Sequence, residues 1–363
     1  MINVLVPLSG ASSFKVSSLN KFPRILNDIN GKLLIERAAK PFLDLKIENT
    51  ITVALPQPEA NKYQLNNVLR LLGKQIKTYG INGQTQGSAC SALLAIEELN
   101  LDEPLLITSF EQVLDFDINV HIQTFIDKKV DAGVFTFEAM HPKWSYVKVD
   151  SKNFVSQAAE KMPISNKAIA GLYYFKSARL FIESAKAMIR KDVKTNNRFY
   201  IAPTLNEVIL NEGKVLAIDI DKSLYFHVSD EHELNNYEQK LTDQSSKLKS
   251  IIRDKTENYI AAFNAKDIEL VVNFFDDKFM LTDTAGECKG KSSVKDYIMG
   301  IFKSTTTLNF ISRRIYVSED LHSFIEFDLV IDGVHFKGVD VISWNSQLLM
   351  EEMKAFIYEK RNG

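Results

Sequence analysis

Cysteine is nearly absent from this 363-residue chain: Cys90 and Cys288 lie far apart and outside any Cys-x-x-Cys pair. That excludes a disulfide scaffold and reads as two reduced, mostly buried thiols, which fits a cytoplasmic setting. Net charge is equally scarce, since 44 Lys plus Arg against 46 Asp plus Glu leave −2. So small an imbalance supplies no overall field toward nucleic acid or an anionic membrane, so no nucleic-acid partner is expected. Any phosphate-binding pocket must draw on a few local cations. Long apolar runs are missing too: stretches such as 4–8 and 105–107 are strand-sized, far short of the roughly 20 residues that span a bilayer. Met1 leads straight into one of them without a basic region or cleavage site, so neither membrane insertion nor secretion is expected.

What is present is ordinary globular material, with 45% hydrophobic and 25% charged residues. At roughly 150 residues per domain the length predicts two domains. From residue 2 to about 220, apolar strands at 2–7, 50–55, 76–79, 105–108 and 132–137 alternate with helical spacing over 33–43, 60–72 and 88–99. This is an α/β pattern, and a parallel sheet of that kind places ligands beyond the carboxyl ends of its strands. Around 230–254 the chain turns to Glu, Lys, Gln, Asn and Ser, which predicts a solvated linker helix. Beyond it come helices at 256–264 and 268–275, a strand at 279–283, a helix at 292–302 and strands from 308 onward, an α+β order. The expected division is therefore 1–240, a linker helix at 241–254, and 255–363.

The first strand runs into Leu8-Ser9-Gly10-Ala11-Ser12-Ser13-Phe14, then Lys21-Phe22-Pro23-Arg24, then Gly31-Lys32-Leu33. Small residues after a strand let backbone N–H groups approach phosphate oxygens. By itself this is equally a polar β-to-α connection. Three later segments follow in order: Gln86-Gly87-Ser88-Ala89-Cys90, Thr108-Ser109-Phe110-Glu111-Gln112, and Glu160-Lys161 with Ala170-Gly171-Leu172. Together they resemble the sugar-phosphate nucleotidyltransferases, a GT-A-like family with a Rossmann-like mixed sheet. The resemblance covers about residues 1–240.

It implies transfer of a nucleotidyl group from a nucleoside triphosphate to a sugar phosphate or similar ester, with release of pyrophosphate, for surface-glycan precursors. Leu8, Ser9, Gly10, Ala11, Gln86 and Gly87 would hold the nucleotide, with Lys15 and Arg24 as catalytic cations. Trp144, Glu160, Lys161 and Gly171 would bind the acceptor, and Mg²⁺ would sit on Glu111, His227 and Asp115. Several positions depart from the family pattern. Ser12 replaces a glycine, the loop arginine is missing with Lys15 the nearest cation, Arg24 stands for a lysine, and Glu111 and His227 stand for two aspartates. Two readings follow, a divergent working enzyme and a nucleotide or nucleotide-sugar binding protein that kept the fold without turnover. Trp144, in His141-Pro142-Lys143-Trp144-Ser145-Tyr146, either stacks on a ligand or covers the sheet edge.

Residues 255–363 resemble the SnoaL-like and ketosteroid isomerase-like superfamily, the cone of nuclear transport factor two. The carriers are Tyr259-Ile260-Ala261-Ala262-Phe263, Phe274-Phe275-Asp276-Asp277, Leu281-Thr282-Asp283 and the Asp332-Gly333 hairpin before Val339-Asp340-Val341. The resemblance matches Tyr259 and Asp340 to an oxyanion hole and Asp283 to a proton-abstracting base, a workable enolisation set. That makes isomerase or lyase chemistry in the cone a further alternative. The same residues also fit an internally satisfied polar network, with the cone serving to form a homodimer or bind a second ligand. His121, His232, His322 and His335 show no metal-ligand spacing.

Overall fold

A computed structural model describes residues 1–8, 10, 13, 14, 16 and 21–359, and divides into two compact units, Met1–Glu238 and Gln239–Gly363. The first unit is built on strands β1 Ile2–Pro7, β2 Asn49–Pro56, β3 Ile76–Ile81, β4 Leu105–Ile107, β5 Gln112–Leu114, β6 Ala132–Glu138, β7 Ser145–Val149, β8 Val155–Glu160, β9 Lys167–Phe175, β10 Val215–Asp219 and β11 Tyr225–His227. Nine of them form one mixed sheet in which β3, β2, β1 and β4 run parallel. β9 then joins β4 antiparallel and continues to β6 and, through Ala168, to β7. β5 and β11 make a separate ribbon, with His227 opposite Gln112.

The near-continuous apolar strands arise because the sheet is covered on both faces. Successive side chains point to opposite sides, so Val4 and Val6 enter one core with Ile51 and Val53. Leu5 enters the other with Ala54 and Ile107. Helix α1 Leu34–Leu43 turns Ile35, Ala38 and Phe42 onto the first core. Helical spacing expected at 60–72 divides into α2 Gln57–Lys62 and α3 Leu65–Leu72. Gln64 between them adopts a left-handed conformation, φ 52°, which interrupts the α-helical ladder. The helix expected at 88–99 stops as α4 Ser88–Leu94 and continues as a 3₁₀ turn, Ile96–Glu98.

The stretch at 230–254 is no separate linker helix. It is part of α5, Glu231–Asn264, a single 34-residue helix. Leu234 and Tyr237 near its start are buried, as are Ile252, Tyr259 and Ile260 further on. No helix among the described residues is long and apolar enough to cross a membrane.

The second unit is α+β. Strands β12 Phe275–Asp283, β13 Gly286–Lys289, β14 Leu308–Val317, β15 His322–Ile331, β16 Val334–Trp344 and β17 Met350–Glu359 form one sheet in the order β13-β12-β17-β16-β15-β14. One face is apolar: Ile325, Phe327 and Leu329 alternate along β15 and join Phe275, Phe279, Trp344 and Ile252 in a single core. Helix α6, Lys291–Ser304, contributes Val294, Ile298 and Phe302 to it.

Candidate functional site in the first unit

The carboxyl ends of β1, β2, β3 and β4 open onto one cavity of about 710 Å³, within the range for small-molecule sites. Gly10 and Ser13 follow β1, Pro56 and Glu59 follow the end of β2, Gly83, Thr85 and Gly87 follow β3, and Thr108, Ser109, Glu111 and Gln112 follow β4. Trp144, Ser145, Glu160, Gly171, Tyr173, Arg198, Tyr200, Tyr225 and His227 complete the wall. Nine segments separated in sequence thus converge on one space.

Two glycines are required by close approach. Gly87 sits at φ 125°, and a Cβ there would lie 2.2 Å from the Phe199 carbonyl oxygen. The Phe199 N–H donates to the Gln86 carbonyl at 2.7 Å, fastening the loop before α4 to the segment carrying Tyr200. Gly171 sits at φ 60°, where a Cβ would meet Gln112 Oε1 at 2.0 Å. Gln112 is itself buried and donates through Nε2 to the Gly171 carbonyl at 2.9 Å and to Thr108 Oγ1 at 3.0 Å, while the Tyr225 hydroxyl donates to its Oε1 at 3.2 Å. This closed network forms a rigid part of the wall.

Ser9, Ala11, Ser12 and Lys15 lie outside the described residues. Leu8 is a core residue, 2% exposed, and Gln86 acts through its backbone. Arg24 donates from Nε to the Val228 carbonyl at 3.1 Å and pairs through Nη2 with Glu111 Oε1 at 3.4 Å. Glu160 accepts from the Ser145 hydroxyl. Burial pushes its carboxyl up, against the lowering effect of Ser145 and Lys161. Lys161 donates to the Tyr200 hydroxyl at 3.0 Å, so it touches the cavity through Tyr200. Asp115 is not brought to Glu111: it is exposed and lines a different groove with Arg37 and Tyr237.

His227 meets a partner that sequence reasoning missed. Its Nδ1 lies 3.1 Å from Glu233 Oε2, which also accepts from Ser229 N at 2.9 Å and Ser229 Oγ at 2.8 Å. Glu233 Oε1 accepts from Lys143. Burial acts to raise the Glu233 carboxyl, yet these hydrogen bonds hold it well below the usual carboxylate range. The local signal was available: Asp230 and Glu233 are spaced as an N-terminal cap and its third residue, and Asp230 Oδ1 accepts from the Glu233 N–H at 2.8 Å. Trp144 is enclosed by Phe137, Tyr225 and His227 at centroid distances of 5.2, 5.8 and 5.0 Å, with Lys143 Nζ 4.5 Å over its ring.

This donor set does not match Mg²⁺, which wants hard oxygen ligands in octahedral array. Glu111 offers one carboxylate already facing a guanidinium, and His227 offers a nitrogen. Among the described residues, no three of His, Cys, Asp and Glu are grouped as a metal site.

In the second unit, the three residues matched to an enolising set are not joined by hydrogen bonds. The Tyr259 hydroxyl points to Met353 Sδ at 3.7 Å. Asp283 accepts from the Tyr297 hydroxyl at 2.6 Å and from Ala285 N at 2.8 Å in the hairpin. Asp340 is 1% exposed, and its Oδ1 has no hydrogen-bond partner among the described residues. Burial alone pushes that carboxyl well up, and its charge in turn adds to the burial that raises Tyr259.

Comparison with known proteins assigns both folds. Residues 256–349 match the family model of the SnoaL-like domain. The N-terminal portion is similar to a nucleoside-diphosphate-sugar pyrophosphorylase from Vibrio cholerae, at 20% identity over 66% of this chain and 100% of that one, TM-score 0.58. The first unit is nucleotidyltransferase-like in fold, the second SnoaL-like. A UDP-glucose pyrophosphorylase complexed with UDP-glucose is also similar, at 14% identity over 67% of this chain and 100% of that one, TM-score 0.54. No curated protein matches the sequence. The α/β and α+β classes expected from the sequence are thus the observed ones.

Proposed function

We propose that the nucleotidyltransferase-like unit binds a nucleoside triphosphate and a sugar phosphate in the single cavity and transfers the nucleotidyl group. A phosphate oxygen of the acceptor bonds to the α-phosphorus, the bond to the departing phosphate breaks, and pyrophosphate leaves. Positioning and charge stabilisation dominate such transfers. The observation that carries the reading is the convergence of Gly10, Gly87, Glu111, Glu160, Gly171 and His227 on one cavity at the strand ends. Arg24 and Arg198 supply cations, the Gly10 and Gly87 loops admit the nucleotide, and Glu160 with Lys161 and Trp144 positions the acceptor.

A second reading, a nucleotide-sugar binding or regulatory protein without turnover, is favoured by one observation. Glu111 and His227 are each engaged, by Arg24 and by Glu233. The full chain, incubated with each nucleoside triphosphate, Mg²⁺ and a panel of sugar 1-phosphates, should release pyrophosphate with one pair. Silence with every pair, while calorimetry detects a nucleotide sugar, would overturn transfer in favour of binding. A cytoplasmic setting suits either reading, because both draw on nucleotide pools. Exposed Phe356 and Tyr358 on the open face of the SnoaL-like sheet support a homodimer formed there.

A further inference from the structure

We propose that Glu233 is a positioning residue that holds the His227 ring so that Nε2 accepts a hydroxyl hydrogen from the sugar of a bound nucleotide sugar. This rests on the cavity being a nucleotide-sugar site, the element common to both readings above. Every contact made by the Glu233 carboxylate comes from a potential donor: His227 Nδ1, Ser229 N, Ser229 Oγ and Lys143 Nζ. Lys143 Nζ and Ser229 N can only donate, so Glu233 meets them as an acceptor, and an ionised carboxylate only accepts. The hydrogen between the two residues therefore belongs to Nδ1, and in the neutral ring Nε2 is left as the acceptor.

Among the described residues Nε2 has no partner, while the ring lines the cavity and stands edge-on to Trp144 at 5.0 Å. The same end of the cavity carries Glu160 and Ser145, and of its ammonium groups Lys143 is neutralised by Glu233 while Lys161 faces Glu160 and donates to the Tyr200 hydroxyl. Carboxylates and a nitrogen acceptor beside an aromatic wall suit an uncharged, hydroxyl-bearing ring better than a phosphate.

The test is long-range proton–nitrogen NMR of the full chain labelled with ¹⁵N-histidine at pH 8, with His227 assigned from the His227→Asn variant. The expected ring is neutral with hydrogen on Nδ1. Glu233→Gln should shift it toward the other tautomer. UDP-glucose should move the wild-type Nε2 signal and bind on the order of tenfold more weakly to Glu233→Gln, while UDP alone binds both equally. A wild-type ring carrying hydrogen on Nε2, as the other tautomer or as imidazolium, overturns the proposal without any variant needing to fold. UDP-glucose binding with a silent His227 overturns the sugar contact alone. No binding of UDP-glucose or UDP overturns it together with the site reading, whereas the tautomer is measured without ligand.

Discussion

Glu233 in the nucleotidyltransferase-like unit and Asp340 in the SnoaL-like unit are both carboxyl groups withdrawn from water, and the two folds treat them in opposite ways. Glu233 collects contacts from His227, Ser229 and Lys143, and its acidity is driven down. Asp340 lies among apolar strands with Oδ1 unpartnered, and its acidity is driven up. Burial pushes both the same way, so the number of donors within reach decides the sign. The first arrangement keeps a charge in place beside a cavity. The second favours a neutral acid beside an apolar core rich in phenylalanine and isoleucine.

Removing donors or acids should break this contrast in graded steps. Each unit holds one tryptophan, Trp144 or Trp344, so unfolding of each can be followed by fluorescence with the other changed to Phe. The largest effect is expected for Glu233→Leu, which leaves the His227 and Ser229 donors without their acceptor and turns the exposed Lys143 to water. About 3 kcal/mol should be lost from the transition reported by Trp144 in urea at pH 7. An unchanged midpoint would mean that solvent replaces the network without cost.

A smaller effect of opposite sign is expected for Asp340→Asn, about 1–2 kcal/mol of gain at pH 8 in the transition reported by Trp344. The pH dependence separates the two residues. Asp340 has a raised folded-state pKa, so its stability contribution is fully present below the unfolded value near 3.9 and is lost as pH rises toward the folded value. Glu233 has a lowered one, so its contribution is present above the unfolded value near 4.3 and is lost as pH falls below it. Acidifying from pH 8 to 3 should therefore strengthen the Asp340 contribution and weaken that of Glu233. Asp340→Asn should flatten the first trend and Glu233→Gln the second.

The smallest stability change, within about 0.5 kcal/mol, is expected for Phe356→Ser, because that side chain is 60% exposed. The same change should halve the mass seen by light scattering if the open sheet face forms the homodimer. A chain already of single mass before substitution would remove the dimer.

How legible each part was depends on the range of the interaction that makes it. The alternation of Val4, Leu5 and Val6 between two cores is written into consecutive residues, as is the two-residue period of Ile325, Phe327 and Leu329. Gly10, Glu111 and Glu160 stood out in the sequence because each stands beside its own strand end, and all three line the cavity. Asp115 could not be excluded, since nearness to Glu111 in sequence says nothing about which way the chain turns after β5. Continuity of α5 was hidden because a polar stretch reads as a linker until Leu234 and Tyr237 are seen to be buried.

By its own residue order the sequence determined two fold classes, the order of the segments that meet at the cavity and a net charge near zero. Those properties follow from local periodicity, turn chemistry and composition, which act over a few residues. Only the tertiary structure decided which acid meets which donor. It set Arg24 on Glu111, Glu233 on His227 and Lys143, and nothing on Asp340 Oδ1. Hydrogen bonds reach about 3 Å, so whether a buried charge is held or refused depends on groups close in space yet far apart along the chain, as Lys143 and Glu233 are, 90 residues from one another.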